Sequence, residues 1–190
     1  MFLSKVEEPL LNRQTDNLNT QNNQFSITNT LLQSHLDVIR GLSFQEANGV
    51  QILASASEDC TIKLWDCSQA IIKSEPMFAL RGHAGPIFCL CGNSNMMFSA
   101  GCEGVIKIWD ISKIKSFEIY AAMKGDTCCI GNLRKHNETI WDLCYNCTNS
   151  TLLSASSDCI INLWNIVDSN SENDSDMTNQ CYKQSYKVYD

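Results

Sequence analysis

The apolar residues of this chain fall into short runs rich in β-branched side chains and separated by turn residues, a pattern that predicts strands. Four such runs follow one another three times. The first set covers residues 38–44, 50–55, 61–65 and 77–80, with a further outer strand expected at Thr30-Leu31-Leu32. The second covers 87–91, 96–100, 105–109 and 128–133, and the third 140–145, 151–156, 160–164 and 185–189. Three stretches fall outside this pattern. Residues 1–29 form an Asn/Gln-rich segment, dominated by Asn, Gln and Thr from residue 12 on, that buries too little apolar surface to offset its chain entropy and is expected to be disordered. Residues 167–184 read as an acidic polar linker, and the connection 111–127 is long for a compact domain.

A ten-residue phrase recurs in the second half of each set. Ser55-Ala56-Ser57-Glu58-Asp59-Cys60-Thr61-Ile62-Lys63-Leu64 precedes Trp65-Asp66. Ser99-Ala100-Gly101-Cys102-Glu103-Gly104-Val105-Ile106-Lys107-Ile108 precedes Trp109-Asp110. Ser154-Ala155-Ser156-Ser157-Asp158-Cys159-Ile160-Ile161-Asn162-Leu163 precedes Trp164-Asn165. His35, His83 and His136 stand at similar distances ahead of the three tryptophans. Histidine, turn acid and tryptophan at this spacing resemble a WD repeat, one four-stranded propeller blade of roughly 40–45 residues. The fold class that follows is all-β, a partial WD-repeat β-propeller with three recognisable blades, at about 30–80, 81–133 and 134–166 plus the closing strand near 185–189. Closed propellers have roughly 4–8 blades. The chain therefore reads as a fragment of a larger propeller, the alternative being a ring completed with another chain.

Charge narrows the function. With 14 basic and 21 acidic residues the net charge is −7, so no basic stripe is available to neutralise phosphates and nucleic acid is not the expected partner. No apolar run approaches the length of a membrane span. Met1-Phe2-Leu3 runs at once into Lys5, Glu7 and Glu8 without the apolar core of a signal peptide. The 11 cysteines accordingly read as reduced thiols of a cytoplasmic protein.

Each repeat carries a serine, a histidine, a carboxylate and a tryptophan: His35, Ser55, Asp59 and Trp65; His83, Ser99, Glu103 and Trp109; His136, Ser154, Asp158 and Trp164. Serine, histidine and aspartate together suggest a hydrolase triad, but a catalytic set is needed once and this one occurs three times. The WD resemblance implies instead a buried hydrogen-bond chain in which each donor requires an acceptor. Glu103 departs from the pattern by one methylene, and Gly104 should ease the turn beside it. Cys144-Tyr145-Asn146-Cys147 spells a C-x-x-C, yet no second pair with a nearby histidine follows, so no metal or cofactor is expected.

A propeller binds with its face, and alternation along the innermost strand selects the residues that reach it. Val38 and Arg40 flank Ile39, Pro86 and Phe88 flank Ile87, and Thr139 and Trp141 flank Ile140, each isoleucine being expected to pack inward. Glu58, Cys102 and Ser157, one before each turn acid, point the same way. These positions are similar to the partner-contact sites of WD proteins. Arg, Phe and Trp side by side have the composition of an interface hot spot, although Phe88 and Trp141 could instead pack between blades.

One family fits more closely. Gln33-Ser34-His35-Leu36-Asp37-Val38-Ile39-Arg40-Gly41-Leu42-Ser43-Phe44, then Lys63-Leu64-Trp65, Glu75-Pro76, His83, Gly85-Pro86-Ile87 and Ile140-Trp141, resemble the propeller of striatins over about residues 31–166. Striatins are scaffolds and regulatory subunits of a type-2A serine/threonine phosphatase, assembled with kinases. The resemblance implies a non-catalytic interaction scaffold with protein partners, and by that resemblance a type-2A phosphatase/kinase assembly. Two other functions compete: a substrate-receptor propeller of a ubiquitin ligase, and a thiol or zinc enzyme using Cys144 and Cys147.

Overall fold

A computed structural model of the chain describes residues 16–17, 26–27, 30–47, 49–68, 75–112, 128–166 and 182–187. Near the N-terminus two short strands, β1 (Asp16–Asn17) and β2 (Ser26–Ile27), pair antiparallel. The rest of the stretch 1–29, most of the connection 111–127 and most of the linker 167–184 lie outside the described residues.

Three four-stranded antiparallel sheets follow, each a meander in chain order. The first holds β3 (Ile39–Ala47), β4 (Val50–Ser57), β5 (Ile62–Asp66) and β6 (Phe78–Leu80). The second holds β7 (Ile87–Gly92), β8 (Met96–Gly101), β9 (Val105–Asp110) and β10 (Cys129–Arg134). The third holds β11 (Ile140–Asn146), β12 (Thr151–Ser156), β13 (Ile160–Asn165) and β14 (Tyr182–Lys187). The last strand begins three residues earlier than the sequence suggests.

Thr30-Leu31-Leu32 is not a strand. Its expected place on the outside of the first sheet is taken by β6, where Leu80 pairs with Ile62, and Leu31 is left exposed.

Cross-strand register sorts each sheet into two faces. One carries the tryptophan, as in Phe44–Leu53–Trp65. The other is aliphatic or small, as in Gly41–Ala56–Ile62–Leu80 and Ser43–Ala54–Leu64–Phe78. Packing then repeats a single rule. The aliphatic face of blade 1 (Ala54, Ala56, Ile62, Leu64) meets the tryptophan face of blade 2 (Leu90, Met97, Trp109) in one core. The aliphatic face of blade 2 (Phe98, Ala100, Ile106, Ile108) meets the tryptophan face of blade 3 (Leu143, Leu152, Trp164) in the next. The innermost strands β3, β7 and β11 thus lie side by side along the inside of an arc.

Candidate protein-interaction face

The histidine chains come first, because they hold the turns that shape the face. Trp65 Nε1–H donates to Ser55 Oγ at 2.9 Å, Ser55 Oγ lies 2.8 Å from His35 Nε2, and His35 Nδ1 lies 2.8 Å from Asp59 Oδ2. With the imidazole neutral, one donor order satisfies all four groups: tryptophan to serine, serine to histidine, histidine to carboxylate. The third blade repeats it, with Trp164 on Ser154 at 2.9 Å, Ser154 on His136 at 2.8 Å and His136 on Asp158 at 2.8 Å. In the second, Trp109 to Ser99 and Ser99 to His83 each measure 2.7 Å, and the longer Glu103 still reaches His83 at 2.5 Å.

All three serines are buried. Each hydroxyl also accepts a tryptophan N–H, so the serines are held inside their blades and not presented at a surface.

The carboxylates are acceptors for the turn as well. Burial alone would raise the Asp59 carboxyl, but the Thr61 hydroxyl, the Leu36 N–H, His35 and the Thr61 N–H together hold it well below its usual range. Asp158 is likewise lowered against the effect of burial, by His136 and by the N–H groups of Asn137 and Ile160. His83 is pushed down by desolvation, which outweighs the bond to Glu103. Each turn then passes through the left-handed region, at Cys60 (φ 65°), Gly104 (φ 67°) and Cys159 (φ 60°). At Gly104 a side chain would also collide, since its Cβ would lie 2.9 Å from the Glu138 carbonyl oxygen in the next blade.

From these turns the face is tied to the inner strands by one recurring bond. Glu58 N–H donates to Val38 O at 2.9 Å, Cys102 N–H to Pro86 O at 3.1 Å, and Ser157 N–H to Thr139 O at 2.9 Å. The paired candidates of each blade are therefore brought together. Between them each inner strand carries a register shift, at Ile39/Gly41, Ile87/Cys89 and Ile140/Asp142. The unpaired residues in these three bulges are Arg40, Phe88 and Trp141. A β-bulge re-aims the side chain it carries, and here the same defect recurs at the N-terminal end of all three inner strands.

The three are neighbours. A side chain at Gly41 would sit 3.1 Å from the Phe88 carbonyl oxygen, so β3 and β7 are in close approach at this level. Phe88 stacks on Trp141 across the blade boundary, with ring centroids 5.0 Å apart and planes 7° from parallel. Trp141 Nε1–H donates to Ser157 Oγ at 2.6 Å, yet the residue remains 58% exposed. Trp141 thus packs across the blade boundary while more than half of it stays open to solvent. Arg40 forms an ion pair with Glu58 at 2.5 Å, its guanidinium half exposed.

One expectation fails. Ile87 and Ile140 pack inward, but Ile39 is 47% exposed, because among the described residues no blade lies on that side of β3 to cover it. The sequence reading also missed Lys63, whose ammonium is bonded to Ser34, and Asn162, whose amide lies 3.0 Å from His136 Nε2. Their matched position in the repeat, shared with Lys107, was the available signal.

The ten described cysteines are free thiols. Burial pushes Cys89 up to about 12 and raises Cys91 further, so neither is a ready thiolate at neutral pH. Cys144 lies in β11 and Cys147 in the turn after it, both exposed. Among the described residues no group of three or more His, Cys, Asp or Glu side chains is arranged to hold a metal ion.

Comparison with known proteins agrees with this architecture. The family model "WD domain, G-beta repeat" matches residues 26–66, 74–110 and 127–165. Striatin of Homo sapiens is 32% identical over 148 residues, covering 72% of this chain and 18% of that protein. Striatin-3 of Mus musculus is 32% identical over 145 residues, covering 70% and 18%. The chain thus spans less than a fifth of the length of these relatives. Among solved structures, the crystal structure of the computationally designed Ika4 protein superposes with a TM-score of 0.55 over 80% of each chain, at 24% identity, a likeness of fold alone. The three blades, their histidine chains and these matches place the chain in the WD-repeat family, as a striatin-like segment of three repeats.

Proposed function

We propose that this chain is a non-catalytic interaction scaffold that captures protein partners on the face built by Arg40, Phe88 and Trp141. The observation that carries the reading is the triple bulge, which presents one cationic and two aromatic side chains on adjacent inner strands. Exposed Trp and Arg are the residue types that dominate binding energy at protein interfaces. Val38, Pro86, Thr139, Glu58, Cys102 and Ser157 form the surroundings of the same face. The similarity to striatins supports partners drawn from a type-2A phosphatase and kinase assembly in the cytoplasm. It does so by resemblance over a minor part of those proteins.

Affinity capture with mass spectrometry tests the reading. Wild type should retain partners that Arg40→Ala and Trp141→Ala lose, while both variants melt within a few degrees of wild type. Recovery of phosphatase and kinase subunits supports the striatin-like role; cullin-ligase components would favour a substrate receptor. Stoichiometric zinc, or one low-pKa thiol at Cys144 or Cys147, would replace the scaffold with a thiol or metal enzyme. Should Trp141→Ala melt as badly as Asp59→Ala, Trp141 serves blade packing and leaves the face.

A further inference from the structure

The arc ends in two unlike faces. At one end, among the described residues, no blade lies against the tryptophan face of blade 1: Leu42 is 65% and Phe44 61% exposed, whereas Leu90 and Leu143, which match Leu42 in blades 2 and 3, are 8% and 6% exposed. At the other end the aliphatic face of blade 3 is open. Leu153 there is 38% exposed and Ile161 and Leu163 are half-buried, while their counterparts Phe98, Ile106 and Ile108 in blade 2 are fully buried.

Both open faces keep the residue types of the two faces that are closed within the chain. A solvent face of a terminal blade carries no such requirement, and contiguous exposed apolar surface marks an interaction site. Here the register row Phe44–Leu53–Trp65 is apolar throughout, as are Ala155–Ile161 and Leu153–Leu163, while the row Leu42–Ser55–Lys63 repeats the Leu90–Ser99–Lys107 row of the covered blade 2. Asp142, at the inner edge of the blade 3 face, turns its carboxylate back onto the Leu143 N–H at 2.9 Å.

The same pair of faces already packs twice, blade 1 on blade 2 and blade 2 on blade 3. We infer that a second copy of this chain closes the arc head to tail, the tryptophan face of blade 1 in one copy seating on the aliphatic face of blade 3 in the other. The contact is heterologous, and two copies can make it twice. The product is a ring of six blades, inside the range of roughly 4–8 at which propellers close. Closure removes both exposed faces without any contact of a kind the chain does not already make. The interaction face of Arg40, Phe88 and Trp141 is not consumed, so this inference does not depend on the proposed function.

Complementation tests it in the full 190-residue chain. Leu42→Asp blocks one end and Leu153→Asp the other, each at a site already exposed in the single chain. By sedimentation, wild type should run at twice the chain mass across a concentration series, and each variant alone at the chain mass. An equimolar mixture should return to twice the mass, because it restores one intact pair of faces. A monomeric wild type overturns the inference. So does a dimer that survives Leu153→Asp, which would mean a symmetric contact of blade 1 on blade 1. So does a mixture that stays monomeric. Circular dichroism monitors folding of each variant, and Phe44→Glu with Leu163→Glu provides a second pair should either of the first misfold.

Discussion

Blades 1 and 2 are written with nearly the same phrase and differ in what covers them. In blade 2 both faces are closed: Phe98, Ile106 and Ile108 lie under blade 3, and Met97 and Trp109 under blade 1. In blade 1 only the aliphatic face is closed, and Leu42 and Phe44 look outward. Yet Trp65 is 2% exposed, and Ser55 and the His35 side chain are buried as deeply as their partners in the covered blade. A histidine chain is thus completed by its own blade and its own turn, while an apolar row needs the next blade. Local polar satisfaction and long-range burial are separate requirements, and one blade meets the first without the second.

The largest test of this contrast compares phenylalanines. Phe98→Ala should cost about 3–5 kcal/mol in denaturant unfolding, because it empties a fully buried site between two blades. Phe44→Ala, measured at dilution low enough to hold the chain as a single copy, should stay within about 0.5 kcal/mol. Equal costs would mean that blade 1 is covered in solution even then.

Next come the histidine chains, which should be indifferent to the open face. Ser55→Ala and Ser99→Ala each orphan a buried tryptophan N–H and a histidine, and each should cost about 1–3 kcal/mol. A much smaller loss at Ser55 would show that the first chain is wetted through the uncovered face, breaking the comparison.

Acid gives the finest distinction. A histidine whose pKa falls on folding is protonated first in the unfolded chain. Burial lowers His83 from its ordinary 6.5, so its support is complete above that value and declines as pH drops through it. Asp59 and Asp158 sit below their ordinary 3.8, so theirs is present above pH 3.8 and is lost only as pH falls further. Melting temperature followed from pH 8 to pH 3 should decline in two stages, and His83→Gln should flatten the first. An unchanged first stage in that variant assigns the loss to another group.

Much of the blade was legible in the chain because its determinants are local. Short apolar runs and turn residues specify strands and their meander, and a serine, histidine, acid and tryptophan at fixed spacing can satisfy one another only within one repeat. The candidate face was legible by residue, from the counting that singled out Arg40, Phe88 and Trp141. Its means of construction was not, because a bulge is a mismatch between two strands and neither strand shows it alone.

The sequence by itself determined three meandering sheets, three histidine chains and the identity of the residues along the inner strands. Tertiary structure alone decided that Phe88 stacks on Trp141, that Arg40 is held by Glu58, that Thr30-Leu31-Leu32 joins no sheet, and that Ile39 and Leu42 are exposed while Ile87 and Leu90 are buried. Hydrogen-bond partners and strand propensity are carried by residues close along the chain. Burial of a sheet face belongs to whichever blade lies beside it, and that neighbour is not written in the blade it covers.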